Sequence, residues 1–257
     1  MSIKYQELNV STVDKALSVL QLFSESQPNM GLSEIARQLG WDKSNVQRYV
    51  ADLASHGILE QSPRDKSYFL GPSLTRLSMM RDLTHPVANE VKRALDDLSK
   101  ATGETAHASI RIGDRLSIMG VVETKIRGTR VYVDPAEAQP FHATAAGLAF
   151  LSASPEATVR KLLAVSLERY TPDTEVDRSK LMARIRAVRE KGYAKASGTC
   201  EVDVVGIAAP IVGFRGDAIG AVAVATPAAR FRDGSEKTIS RNVMETALRV
   251  SRVYGAN

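Results

Sequence analysis

Apolar positions in the first seventy residues recur at helical spacing and then switch to alternation. Val13, Ala16, Leu17, Leu20 and Phe23 fall on one helical face, behind Ser11 and Thr12, either of which can cap it. Pro28, Asn29 and Gly31 break that run. Ser33 stands where it can cap a second, short helix carrying Ile35, Ala36 and Leu39. Gly40 ends it, because a helix C-terminus often needs a residue at positive φ. Asp42 can cap a third helix that runs to about Ser55, with Val46, Val50 and Leu53 inside and Gly57 after it. Residues 58–61 and 67–70 read as two strands around a polar tip at 62–66, closed by Gly71 and Pro72. Two short helices joined at a glycine-containing turn make a helix-turn-helix pattern, and the hairpin behind the third helix makes it winged. Without the hairpin the same pattern describes a plain three-helix core.

From residue 72 to 102 the pattern stays helical, broken at His85 and Pro86. Leu74, Leu77 and Met80 form one stripe, and Val87, Val91, Leu95 and Leu98 another. Strand-like segments follow at 105–112 and 116–123, flanking the turn signal Gly113-Asp114, and a third at 129–133. A small-residue helix is expected over 145–151, with further helices over 155–164 and 178–191. Strands are expected at 193–197, 206–212 and 218–226, and a closing helix over 235–254. Five or six mostly antiparallel strands with helices around them make an α+β domain. The expected organisation is a winged helix-turn-helix over 1–71, a linker helix over 72–85, and a second domain over 86–257.

Charge refines this only locally. The chain of 257 residues carries a formal charge of +5, which suits an acidic partner such as DNA and equally suits many basic enzymes. Up to Ser78, eight Lys and Arg balance eight Asp and Glu, so any electrostatic case for nucleic acid rests on clustering. Such a cluster exists. Lys43, Ser44, Asn45, Gln47 and Arg48 occupy the outer face of the third helix, with Ser33 near the second helix's start and Arg64 and Lys66 at the wing tip. Arg donates bidentately to guanine, and Asn or Gln pairs bidentately with adenine. Ser and backbone amides at a helix start can hold phosphate. The alternative is a solvated surface with no partner; clustering on neighbouring elements favours double-stranded DNA.

Other chemistry is sparse. The single cysteine, Cys200, excludes an internal disulfide and suits a reducing compartment. The start of the chain has no apolar run behind a basic segment, and no stretch approaches the ~20 apolar residues that span a bilayer, so a cytoplasmic protein without membrane association is expected. His56, His85, His107 and His142 do not share a metal-ligand spacing. The glycines form no phosphate-binding motif, and no nucleophile elbow or paired carboxylates stand out. No metal, no cofactor and no enzymatic activity are expected. A redox role for Cys200 is disfavoured by the neighbouring anions Glu201 and Asp203, which oppose a thiolate.

Three stretches together resemble the IclR family of bacterial transcriptional regulators: residues 32–40 through 43–48 to 56–59; residues 140–149 (PFHATAAGLA); and residues 185–193, with 206–211 after them. The resemblance implies a C-terminal GAF/PAS-like antiparallel sheet domain that binds a small organic acid, aromatic ones included. It also implies a homodimer or homotetramer on a partly palindromic operator. By that resemblance the turn at 143–147 faces the effector's carboxylate, which assigns His142, Thr144, Ala145, Ala146, Gly147, Gly206, Ala223 and Ala225 to the pocket. A helix N-terminus has unpaired donors and partial positive charge; the same small residues would also suit a helix packed on a sheet with no ligand. The chain departs from better-known members. Gly206 stands where Cys is frequent, Ala223 and Ala225 where some carry serine, Leu148 where Lys is frequent, and Ala196-Ser197 near a position that is acidic in some. These losses imply a roomier, more apolar pocket than a glyoxylate-sized acid needs.

Overall fold

The computed structural model describes residues 11–24, 27–84, 87–126, 128–232 and 234–256. The expected break at His85 and Pro86 lies outside them. The chain divides into two compact units, Met1–Pro86 and Val87–Asn257.

The first unit holds α1 (Thr12–Leu20), α2 (Leu32–Leu39), α3 (Lys43–Ser55), the hairpin β1 (Leu59–Gln61) and β2 (Tyr68–Leu70), and α4 (Pro72–Thr84). Ser11 caps α1 reciprocally: its hydroxyl accepts from the Asp14 amide at 3.1 Å, and the Asp14 carboxylate accepts from the Ser11 amide at 3.1 Å. The expected cap at Ser33 is corrected. Gly31 is the N-cap and Ser33 sits within the first turn. The cause is tertiary: Met30 exchanges two backbone hydrogen bonds with Tyr68, of 3.0 and 2.8 Å, so the chain leaves the wing sheet and enters the helix at once. Gly40 closes α2 at φ 68°, as its position demands. The predicted inner face of α1 also needs correction. Val19 and Phe23 enter the core with Ile35, Leu39, Val46 and Val50, while Val13 and Leu17 are exposed.

The second unit is a five-stranded antiparallel sheet in the order β4-β3-β7-β6-β5, built from β3 (Thr105–Ile112), β4 (Arg115–Val122), β5 (Ala194–Ser197), β6 (Val204–Val212) and β7 (Ala218–Pro227). Alternation along each strand sends residues to opposite faces. Ala106, Ala108, Ile207, Ile211, Val222 and Val224 meet α5 (Val87–Thr102) and α9 (Ser235–Val253). On the other face Ala208, Ala221 and Ala223 pack with α6 (Ala145–Ser152), α7 (Glu156–Leu162) and α8 (Arg178–Lys191). The strand expected at 129–133 does not form. That segment crosses the sheet face instead of extending its edge: Val131 is buried, and its carbonyl accepts the Thr105 hydroxyl at 2.8 Å. Among the described residues after β4, Gln139 bridges to the edge, with its amide on the Leu116 carbonyl at 2.8 Å. Among the described residues no helix is long and apolar enough to cross a membrane.

Candidate nucleic-acid surface and ligand pocket

In the first unit, Val46, Tyr49 and Val50 anchor α3 in the core, so the 3.6-residue period turns Lys43, Ser44, Asn45, Gln47 and Arg48 outward. All five are exposed. The Arg48 guanidinium leans on Tyr49, 3.3 Å from its hydroxyl and 5.2 Å from the ring centre, which in turn meets Trp41 edge-on at 5.9 Å. An otherwise floppy side chain is thereby partly oriented. Ser33 is exposed on α2. At the wing tip, Lys66 adopts φ 59°, unusual for a residue with a Cβ. It is held there by its amide on Ser62's carbonyl at 3.1 Å and by the Gln61 side-chain amide on its own carbonyl at 3.0 Å. Arg64 and Lys66 project into solvent. The surface therefore offers bidentate donors and positive charge without an internal ion pair among these residues.

In the second unit a cavity of about 450 Å³ opens between the sheet, the start of α6 and the crossing segment. It exists because side chains there are small. Ala223 and Ala225 on β7, Gly206 on β6 and Ala196 on β5 form one wall, and Ala143, Ala145 and Ala146 the facing one. Gly206 brings the sheet so close that a Cβ on it would lie 3.1 Å from that of Ala145. Thr144 caps α6, accepting from the Gly147 amide at 3.0 Å. The amides of Ala145 and Ala146 have no acceptor among the described residues, and both residues line the cavity. They are the free donors of a helix N-terminus.

Two of the residues assigned by resemblance stand apart from the lining. His142 stacks near Tyr170, and its Nε2 donates to the Glu168 carbonyl at 2.8 Å. Gly147 lies behind the helix start, against the backbone of Phe141. The other six, Thr144, Ala145, Ala146, Gly206, Ala223 and Ala225, line the cavity together.

Sequence reasoning missed the polar part of the floor. Ser109 donates to Gln139 Oε1 at 2.9 Å, so the Gln139 amide nitrogen faces His107 Nε2, 3.2 Å away, as donor. The His107 proton then sits on Nδ1, which is buried without a partner. Burial alone lowers the pKa of His107 to about 4, which keeps the ring neutral. Thr105, His107 and Ser109 alternate along one face of β3, a polar stripe visible in the sequence as period two. Cys200 lines the mouth. Burial, then Glu201 and Glu137, push its thiol up to about 11. Alkylation of Cys200 by iodoacetamide in the native protein is therefore expected to be negligible at pH 8 and to rise only near pH 11. Brisk native labelling at pH 8 would contradict this environment.

The two units match known proteins in the same order. The family model for the IclR helix-turn-helix domain matches residues 12–63, and that for the bacterial transcriptional regulator IclR C-terminal domain matches residues 83–252. The Escherichia coli HTH-type transcriptional regulator XynR is 28% identical over 96% of this chain and 98% of its own length. The crystal structure of an IclR regulator from Silicibacter sp. TM1040 superposes with a TM-score of 0.88 at 34% identity, over 96% of this chain and 97% of that one. An IclR homologue from Microbacterium hydrocarbonoxydans, solved complexed with 4-hydroxybenzoate, shares the fold at 20% identity, with a TM-score of 0.78 over 95% and 99% of the two chains. A winged helix-turn-helix followed by a ligand-sized pocket in an antiparallel sheet domain, matched in both parts, places this chain in the IclR family of bacterial transcriptional regulators.

Proposed function

We propose that this regulator, acting in the cytoplasm as a homodimer or a dimer of dimers, reads a partly palindromic operator through α3 and the wing. A small organic acid seated in the second unit's cavity modulates that binding. The observation that carries the effector half is the cavity itself, lined by the start of α6 with its two free amides and by His107. Free helix-start amides are donors, matching a carboxylate. Asn45, Gln47 and Arg48 carry base reading, while Lys43, Ser44, Ser33, Arg64 and Lys66 hold the phosphate backbone. His142 and Gly147 shape the helix start; Thr144, Ala145, Ala146, Gly206, Ala223 and Ala225 form the pocket. Supporting self-association, α1 exposes Val13 and Leu17, and α4 exposes Leu77, Met79 and Leu83, the last at 78%. An apolar face left in water is a natural seat for a second copy. The ligand is bound and not transformed; a tenfold change in operator affinity needs a coupling of about 1.4 kcal/mol between the ligand and the two states.

The test is footprinting on the intergenic DNA beside the gene, with and without a panel of aliphatic and aromatic acids. A discrete palindromic footprint that an acid shifts is expected. Ala223→Leu, which fills the second unit's cavity, is expected to keep the footprint. The acid concentration needed for the shift should rise by about tenfold or more. An unchanged acid response in Ala223→Leu would remove the cavity from the mechanism.

A further inference from the structure

The cavity has two chemically opposite ends. Its floor is buried and donates hydrogen bonds, whereas its mouth is acidic. Glu137 and Glu201 are exposed at the mouth, with Asp134 beside them. Not one Lys or Arg is found among the described lining residues, and none of the three acids forms an ion pair among them. The Asp134 side chain accepts only the Ala136 amide, at 2.8 Å. Although Glu201 is exposed as a residue, partial shielding of its carboxyl from water and then the charge of Glu137 hold that carboxyl above its usual range. A cavity for a simple monoanion gains nothing from such a mouth, since like charges at an entrance slow and weaken the binding of an anion.

The floor supplies an independent sign that a ligand belongs there. His107 is 5% exposed and its Nδ1 lacks a partner, in a fold whose other buried described side-chain polar atoms are all satisfied. A buried donor without a partner is costly, and His107 lines the cavity.

Resting on the reading of this cavity as the effector site, we infer that its ligand is an ampholyte: an acid whose carboxylate meets the Ala145 and Ala146 amides and His107 at the floor, and whose far end carries an ammonium group between Glu137 and Glu201 at the mouth. The apolar body between the two charges lies along Ala196, Ala223 and Ala225. The ammonium relieves the repulsion between the two carboxylates, and the exposed mouth leaves it partly hydrated. Its contribution is therefore modest and salt-sensitive.

The experiment is isothermal titration calorimetry of the full chain with matched pairs that differ in the ammonium: 4-(aminomethyl)benzoate against 4-methylbenzoate, and 6-aminohexanoate against hexanoate. In at least one pair the amino acid is expected to bind about five- to tenfold more tightly at low salt, with the preference shrinking as salt is added. In the double variant Glu137→Gln, Glu201→Gln the preference is expected to vanish while the ammonium-free acid binds as well or better. If the ammonium-free acids bind the wild type as tightly as their partners, or more tightly, the ampholyte is overturned and the acid effector stands. A preference that survives the double variant overturns the assignment to Glu137 and Glu201. If no member of either pair binds, and Ala223→Leu leaves the regulator's acid response unchanged, the effector reading falls and this inference with it.

Discussion

Gly147→Ala is expected to destabilise the second unit by about 3 kcal/mol or more, the range reached when an added methyl meets immovable backbone. A Cβ at Gly147 would overlap the Cα, carbonyl carbon and oxygen of Phe141. None of these can rotate away, because the segment before α6 is fastened from several sides. The Thr144 hydroxyl donates to the Pro140 carbonyl at 2.9 Å, the Thr199 hydroxyl to the Ala143 carbonyl at 2.6 Å, and His142 to the Glu168 carbonyl at 2.8 Å. Phe141 itself packs against Phe150, with ring centres 5.3 Å apart. The methyl must therefore lift the start of α6 from its seat. Denaturant unfolding followed by circular dichroism checks the stability. A midpoint equal to that of the wild type would show that the helix start has room that the geometry denies. The same displacement moves the Ala145 and Ala146 amides, so acid affinity should fall even under conditions where the variant stays folded.

Arg48→Ala is expected to abolish specific operator binding while leaving the fold intact. The side chain is exposed, and its polar and ring partner among the described residues is Tyr49, so its loss costs the core little. On DNA, a bidentate contact to guanine contributes about 1–3 kcal/mol, and a symmetric dimer makes the contact twice, which gives about 2–6 kcal/mol. Footprinting at two salt concentrations measures the effect. Diffuse, salt-sensitive coating should persist, because phosphate contacts from Lys43, Arg64 and Lys66 remain. Arg48→Lys separates charge from geometry, since an ammonium cannot form the planar fork; it should retain the coating and still lose the discrete footprint. A wild-type footprint in Arg48→Ala would place base reading elsewhere on α3.

Much of this architecture was legible in the sequence because its signals are local. Helical spacing placed α3, the Gly113-Asp114 turn signal placed β3 and β4, and the glycine after α2 fixed its end. The failures share a cause. Ser33 looked like a cap until tertiary pairing between Met30 and Tyr68 determined where α2 begins. Val13 and Leu17 looked internal because periodicity reports an apolar face and not what covers it. Residues 129–133 have the β-branched content of a strand, yet the hydroxyl of Thr105, some 26 residues away along the chain, draws Val131 across the sheet. At the pocket, the resemblance pointed to the small residues around α6 and β7. His107, Gln139 and Ser109 escaped because their link spans 30 to 32 residues along the chain, a separation that no spacing rule reaches. The acidic mouth escaped for the same reason, as Glu137 and Glu201 meet only through the fold.

The alanines that wall the cavity have one more consequence. His107 pairs with Ala223, Gly206 with Ala225 and Ala208 with Ala223 across strands whose ladder bonds belong to the backbone. Exchanging a methyl for a hydroxymethyl at position 223 or 225 would leave that ladder untouched and merely decorate empty space. Ligand preference in this protein is thus open to change by single steps that the scaffold scarcely registers, and a new chemical signal could be acquired without passing through an unfolded intermediate sequence.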